Sequence, residues 1–123
     1  MNIREYWHRV LKQDAEGIRP FFHPDAYVNW YNTNERFTAE EFIRANCEYP
    51  GDWDGEIELT VCAENQVITA VRVYSTSQQA SFHVTSFFLL CEDRIIRLDE
   101  YWGDDGEAPQ WRKDLHIGSK ISE

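Results

Sequence analysis

The chain has 123 residues, 42% of them hydrophobic and 15% aromatic, with five Trp, six Tyr and seven Phe. That is apolar surface enough for one compact domain with a substantial core. A formal net charge of −10, from 22 acidic against 12 basic residues, argues against a nucleic-acid phosphate backbone or an anionic membrane surface as partner.

The first stretch, "MNIREYWHRVLKQD", carries charges throughout and no apolar run, so neither a signal peptide nor a membrane span is expected, and the cytoplasm is the expected location. Within it Ile3, Tyr6, Trp7, Val10 and Leu11 recur at helical spacing and predict an amphipathic helix. "AEGIRPFF" predicts a second, shorter helical segment broken near Pro20, and "HPD" a turn. "AYVNWYN", aromatic and β-branched, predicts a short strand in which Val28, Trp30 and Asn32 share one face and Asn29 and Tyr31 the other. Thr38 and Glu41 form a capping-box pattern ahead of a third helix over Ala39 to Cys47, which "YPGDWDG" ends.

From Glu56 to Gly103 the sequence reads as four strands. "EIELTVCA" alternates, placing Ile57, Leu59 and Val61 on one side, and "VITAVRVYS", "SFHVTSFFLLC" and "RIIRLDEYWG" follow. Their separators "ENQ", "TSQQ" and "ED" are short and polar, as antiparallel hairpins require. The predicted architecture is α+β: a curled antiparallel sheet packed against three N-terminal helices, which can enclose a pocket. One domain over residues 1–123 is expected, with a core of about 3–104 and a tail over 105–123 that packs through Trp111 and Ile117.

Several chemistries find no support. Cys47, Cys62 and Cys91 are far apart, without a CxxC pair, and read as buried or half-buried reduced thiols. The histidines have no metal-ligand spacing, and "GDDGEAP" lacks that of a calcium loop, so no metal is expected. No nucleophile elbow, phosphate loop or dinucleotide fingerprint occurs, and no cofactor is expected.

The ionisable candidates lie on the last two strands. Leu98, Glu100 and Trp102 share the more apolar face of the final strand, so Glu100 is expected inward, desolvated and raised in pKa, as suits a general acid or base. His83 faces the cavity if Thr85 and Phe87 do, and becomes a proton shuttle; if Phe82, Val84, Ser86 and Phe88 face it, His83 lies outside. The second set is the more apolar.

"FFHPDAYVNW" entering the first strand, "CEDRIIRLDEYW" around the last hairpin and the helix–helix–strand–helix–sheet order resemble the nuclear transport factor 2 superfamily, in its SnoaL-like and ketosteroid-isomerase-like branches. That fold is also described as cystatin-like, and the resemblance implies that the curled sheet is cone-shaped. It further implies an isomerase, cyclase, dehydratase, hydrolase or non-catalytic binding module. Carried over position by position, the ketosteroid-isomerase oxyanion Tyr falls at Tyr6. Its carboxylate base falls at Trp30, which cannot abstract a proton, and its protonated Asp falls at Ser86, or at Thr85 in the other register. The resemblance also implies a homodimer across the outer sheet face, here Arg72, Tyr74, Thr85, Phe87, Leu89 and Tyr101.

Two functions stay open. One is cofactor-free acid–base isomerisation, cyclisation or dehydration of a hydrophobic small molecule. Glu100 or His83 would move the proton, and Tyr6, Trp30, Asn32, Ser86 and Trp102 would bind the substrate. The other is a non-catalytic binding or dimerisation module of the same fold.

Overall fold

A computed structural model describes residues 1–77 and 79–122. Helix α1, Ile3–Leu11, is capped by Asn2, whose side chain accepts from the Glu5 N–H at 3.0 Å. It buries Tyr6, Trp7 and Val10. Helix α2, Ala15–Ile18, is capped by Asp14 and runs into a single 3₁₀ turn over Arg19–Phe21, which accommodates Pro20 at its start. Helix α3, Ala39–Cys47, has the full reciprocal capping box between Thr38 and Glu41 and buries Phe42 and Ile43. A short helix α4, Gln110–Asp114, follows the sheet.

The strands are β1 Phe22–Trp30, β2 Glu35–Thr38, β3 Trp53–Ala63, β4 Gln66–Ser75, β5 Ser81–Cys91 and β6 Arg94–Asp104. They form one six-stranded sheet in the order β2-β1-β6-β5-β4-β3. Every pairing is antiparallel except β1 with β6, which is parallel and so joins the first part of the chain to the last. The α-helical layer covers one face, and Tyr6, Ile18, Val28, Val71, Ile95 and Leu98 are fully buried between the layers. Gly55 allows close approach of α1: a Cβ there would lie 2.6 Å from the Arg72 carbonyl and 3.2 Å from Leu11.

Several expectations are corrected. "HPD" is not a turn but part of β1, where the register jumps between Phe22 and Tyr27 and a bulge absorbs Pro24, which has no N–H to give the ladder. Strand β2 is absent from the predicted elements; it is four residues long and mostly exposed, so it carries almost no hydrophobic signal. Strand β1 ends at Trp30, so Asn32 sits in the turn that follows and not on the strand face. Ile57, Leu59 and Val61 do not share one face. A register shift between Ile57 and Leu59 turns Leu59 and Val61 outward, opposite Ala70 and Ile68, and leaves Ile57 opposite buried Val71.

Cys47 is half-buried, but Cys62 and Cys91 are exposed. The tail does not pack on the domain: Trp111, Leu115 and Ile117 are all more than half exposed, at 58%, 64% and 54%. The "ED" hairpin behaves as expected, with Glu92 and Asp93 both at positive φ, the pair a type I′ turn requires. The "TSQQ" turn includes Gln78, which lies outside the described residues, as does Glu123.

Candidate functional site: a buried carboxylate behind an aromatic cleft

Strand β6 alternates Leu98, Glu100, Trp102 and Asp104 toward the helices, and Arg97, Asp99 and Tyr101 away from them. Glu100 is only 1% exposed and is the only buried acidic or basic residue among the described residues. Its Oε1 accepts from the Trp30 indole N–H at 3.0 Å, and its Oε2 from the Ser86 hydroxyl at 2.6 Å. Register explains both bonds: β5 places Ser86 opposite Glu100, and β1 places Trp30 opposite it on the other side. Burial raises the pKa of Glu100 from 4.5 to about 7, outweighing the donors of Ser86, Trp30 and Trp102, which act to lower it. Near neutral pH the group is therefore divided between acid and carboxylate, the condition for giving or taking a proton.

Two buried donors lie close to this carboxyl without partners, the Tyr6 hydroxyl and the Trp102 indole N–H. The Trp102 N–H is near enough to favour the charged form of Glu100 but does not reach hydrogen-bonding geometry. Burial holds the Tyr6 phenol well above its ordinary pKa, and the charge on Glu100 adds to the effect. The phenol is thus a neutral donor, packed edge-on among Trp7, Phe21, Phe22 and Phe88.

Above this centre opens a cleft of about 290 Å³. Trp7, Val10 and Leu11 of α1 and Ala45 and Asn46 of α3 form one side of it. Trp53, Val73, Phe82 and Trp102 form the sheet side, with Trp30, Asn32, Thr33 and Asp104 near the end of the sheet. The Trp53 indole is fixed by its N–H to the Pro50 carbonyl at 3.1 Å, and Gly51, at φ +116°, makes the bend beside it. Asn32 pins its turn to β6 by accepting from the Trp102 backbone N–H at 2.6 Å. Glu100, Ser86 and Tyr6 do not line the cleft; the indoles of Trp30 and Trp102 stand between it and the carboxyl. A second depression, about 500 Å³, mixes Pro20, Phe22 and Pro24 with charged side chains, of which Arg19 is held by Glu16 and Glu40.

The structure therefore brings Tyr6, Trp30, Ser86, Glu100 and Trp102 to one centre and places Asn32 at the cleft. His83 is not brought there. It lies on the outer face, between Glu58 at 3.1 Å and Asp105, and the hydrogen bond with Asp105 raises its pKa most. The reason is register: Phe82, Val84, Ser86 and Phe88 take the inner face, so His83 and Thr85 cannot. The cleft also includes Phe82, as the favoured register of its strand implies, and Trp7, Tyr49, Trp53 and Asp104, which sequence reasoning did not assign to a site. Asp104 was legible from the alternation of β6, two residues beyond Trp102; Trp53 was hidden because "YPGDWDG" reads as a helix stop.

Comparison with known proteins agrees with this architecture. The sequence profile of the SnoaL-like domain family matches residues 3–98. No curated protein matches the chain in sequence. A candidate ketosteroid isomerase from Kribbella flavida DSM 17836 superposes with a TM-score of 0.79 at 20% identity, over 98% of this chain and 87% of that one. A nuclear transport factor 2-like protein of unknown function from Burkholderia xenovorans LB400 superposes with a TM-score of 0.78 at 17% identity, over 98% and 92%. A candidate SnoaL-like polyketide cyclase from Shewanella putrefaciens CN-32 gives 0.64 at 13% identity, over 77% and 73%. At these identities the likeness is one of fold. Among the described residues no helix is long and apolar enough to cross a membrane.

Proposed function

The chain belongs to the SnoaL-like domain family, and within that family we propose that it binds a hydrophobic small molecule in the aromatic cleft and moves a proton with Glu100. The reaction class is a cofactor-free isomerisation, cyclisation or dehydration. One observation carries this reading: a buried carboxyl poised near pH 7, without a cation, is hydrogen-bonded by an indole that also walls the cleft. Once an indole turns aside, Tyr6 is the donor for a developing oxyanion, since its buried hydroxyl has no partner among the described residues. Ser86 orients the carboxyl. For the proton to reach a ligand, the indole of Trp30 or Trp102 must turn aside.

That closure favours a second reading, a non-catalytic binding module in which the two indoles stay shut over Glu100. Proton exchange at carbon separates the two. Neutral cyclic ketones such as 2-tetralone are incubated with the protein in D₂O, and deuterium uptake beside the carbonyl is followed by NMR. Acid–base function predicts uptake faster with the natural chain than with Glu100→Gln, and a rate that changes through about pH 7. Equal uptake with both proteins leaves the binding module.

The reading includes a homodimer across the outer sheet face. Leu59, Ala70, Thr85 and Tyr101 align as one row across β3 to β6, and Val61, Ile68 and Phe87 as the next. Leu59, Val61, Phe87 and Tyr101 are all exposed, and large apolar side chains grouped on a sheet face are a liability until covered.

A further inference from the structure

We propose that the cleft is an aromatic cage for an organic cation, taking a small molecule that carries an alkylated ammonium group against Trp53, Phe82 and Trp102 with Asp104 as its counter-charge. This rests on the reading that the cleft is the ligand site, and it names the chemistry of the ligand.

The walls of the cleft turn from ring to ring. Trp53 and Phe82 lie 5.6 Å apart at 35°, Phe82 and Trp102 6.2 Å apart at 84°, and Trp102 and Trp30 6.1 Å apart at 69°. Phe82 with Trp102 and Trp102 with Trp30 meet steeply while Trp53 and Phe82 are only tilted, so a group seated among them meets ring faces and edges from several directions. A ring face carries negative quadrupole density and attracts an alkylated cation within about 6 Å of its centroid.

The charge of the lining points the same way. Among the described residues, Asp104 is the only ionisable acid or base that lines the cleft apart from the Tyr49 phenol, and no Lys, Arg or His does. It follows Trp102 on the inner face of β6 and lies opposite Phe82 in the register. His83, on the outer face of β5, is engaged by Glu58 and Asp105 instead. Arginines that cover aromatic faces do so elsewhere, over Tyr27, Tyr74 and Trp111.

The polar side chains around the cleft are already committed. Gln13 donates to the carbonyls of Asn46 and Tyr49, Asn46 donates to that of Val10, and Asn32 accepts from Trp102. An anionic ligand would meet a carboxylate and few free donors, whereas a cation would meet rings and a counter-charge. A net charge of −10 draws cations toward the molecule at long range.

The test compares charge at constant shape. Choline and its carbon isostere 3,3-dimethylbutan-1-ol are titrated at constant ionic strength into the ¹⁵N-labelled full chain, and the indole N–H signals of Trp30, Trp53 and Trp102 are followed, with Trp111 as internal control. The expected result is that choline binds about tenfold tighter than the alcohol and that Asp104→Asn shrinks the ratio severalfold, with Trp111 unmoved. If the alcohol binds as well as choline, or the ratio survives Asp104→Asn, the cation is overturned and the cleft remains the ligand site. If neither compound moves a cleft indole at any concentration up to about 100 mM, well past ordinary weak binding, the cage is overturned, and deuterium uptake by a neutral cyclic ketone decides the cleft reading separately.

Discussion

Glu100→Gln isolates what burial of one carboxyl does to the whole molecule. The side chain keeps its shape: its carbonyl can accept from Trp30, and its amide can donate to Ser86, whose hydroxyl can reverse. Below about pH 4.5 the acid is neutral in folded and unfolded chains alike. Between about 4.5 and 7 the unfolded chain loses this proton and the folded one keeps it, so the native state binds more protons and stability falls as pH rises. Above 7 both states are ionised and the burial penalty is complete. The displacement from 4.5 to about 7 corresponds to about 3 kcal/mol in all, of which about 2 to 3 kcal/mol falls between pH 5 and 8. That is a large part of the stability of a chain this size, on the order of 6 to 18 kcal/mol. Urea denaturation at pH 5, 6, 7 and 8 reads it directly, provided the slope with denaturant stays constant. His83, also raised, contributes stability of the same sign, present at low pH and lost as pH rises through its folded pKa, so His83→Gln is the necessary control. The natural chain should lose the most stability toward pH 8, His83→Gln should keep the share due to Glu100, Glu100→Gln only the share due to His83, and the double variant should be nearly flat. Parallel pH curves for the natural chain and Glu100→Gln would refute a desolvated, cation-free Glu100.

Tyr6→Phe removes a buried hydroxyl with no partner, so the fold should lose nothing or gain about 1 kcal/mol in urea. A loss above that would mean the hydroxyl is bonded after all. Trp30→Phe deletes one donor to Glu100 and should move the pH midpoint of stability upward, because the charged form loses a hydrogen bond; an unchanged midpoint would show that bond to be inconsequential. In sedimentation equilibrium the natural chain should be a dimer and Phe87→Asp a monomer. A natural chain already monomeric at about 100 μM, weak even for a transient pair, would sink the dimer.

The alternation of β5 and β6 was readable because one face of each strand is buried, and a one-residue slip would reverse every side chain. It placed Glu100 with Leu98 and Trp102, and it favoured the apolar set Phe82, Val84, Ser86 and Phe88 inward, leaving His83 outside. The capping box at Thr38 and the helical spacing of Tyr6 and Trp7 were legible for the same local reason. What pairing alone decided was not. The bulge that turns Leu59 and Val61 outward and the existence of β2 depend on pairing with the adjacent strand, and the extension of β1 through Pro24 on β6 far along the chain; the pattern of a single strand records none of these. The parallel pairing of β1 with β6 brings Trp30 onto Glu100, 70 residues away in sequence, and so creates the site. Composition showed that aromatic residues were plentiful; only tertiary packing set Trp30 and Trp102 between a cleft and a carboxyl, because burial in three dimensions is what desolvates the group and raises its pKa.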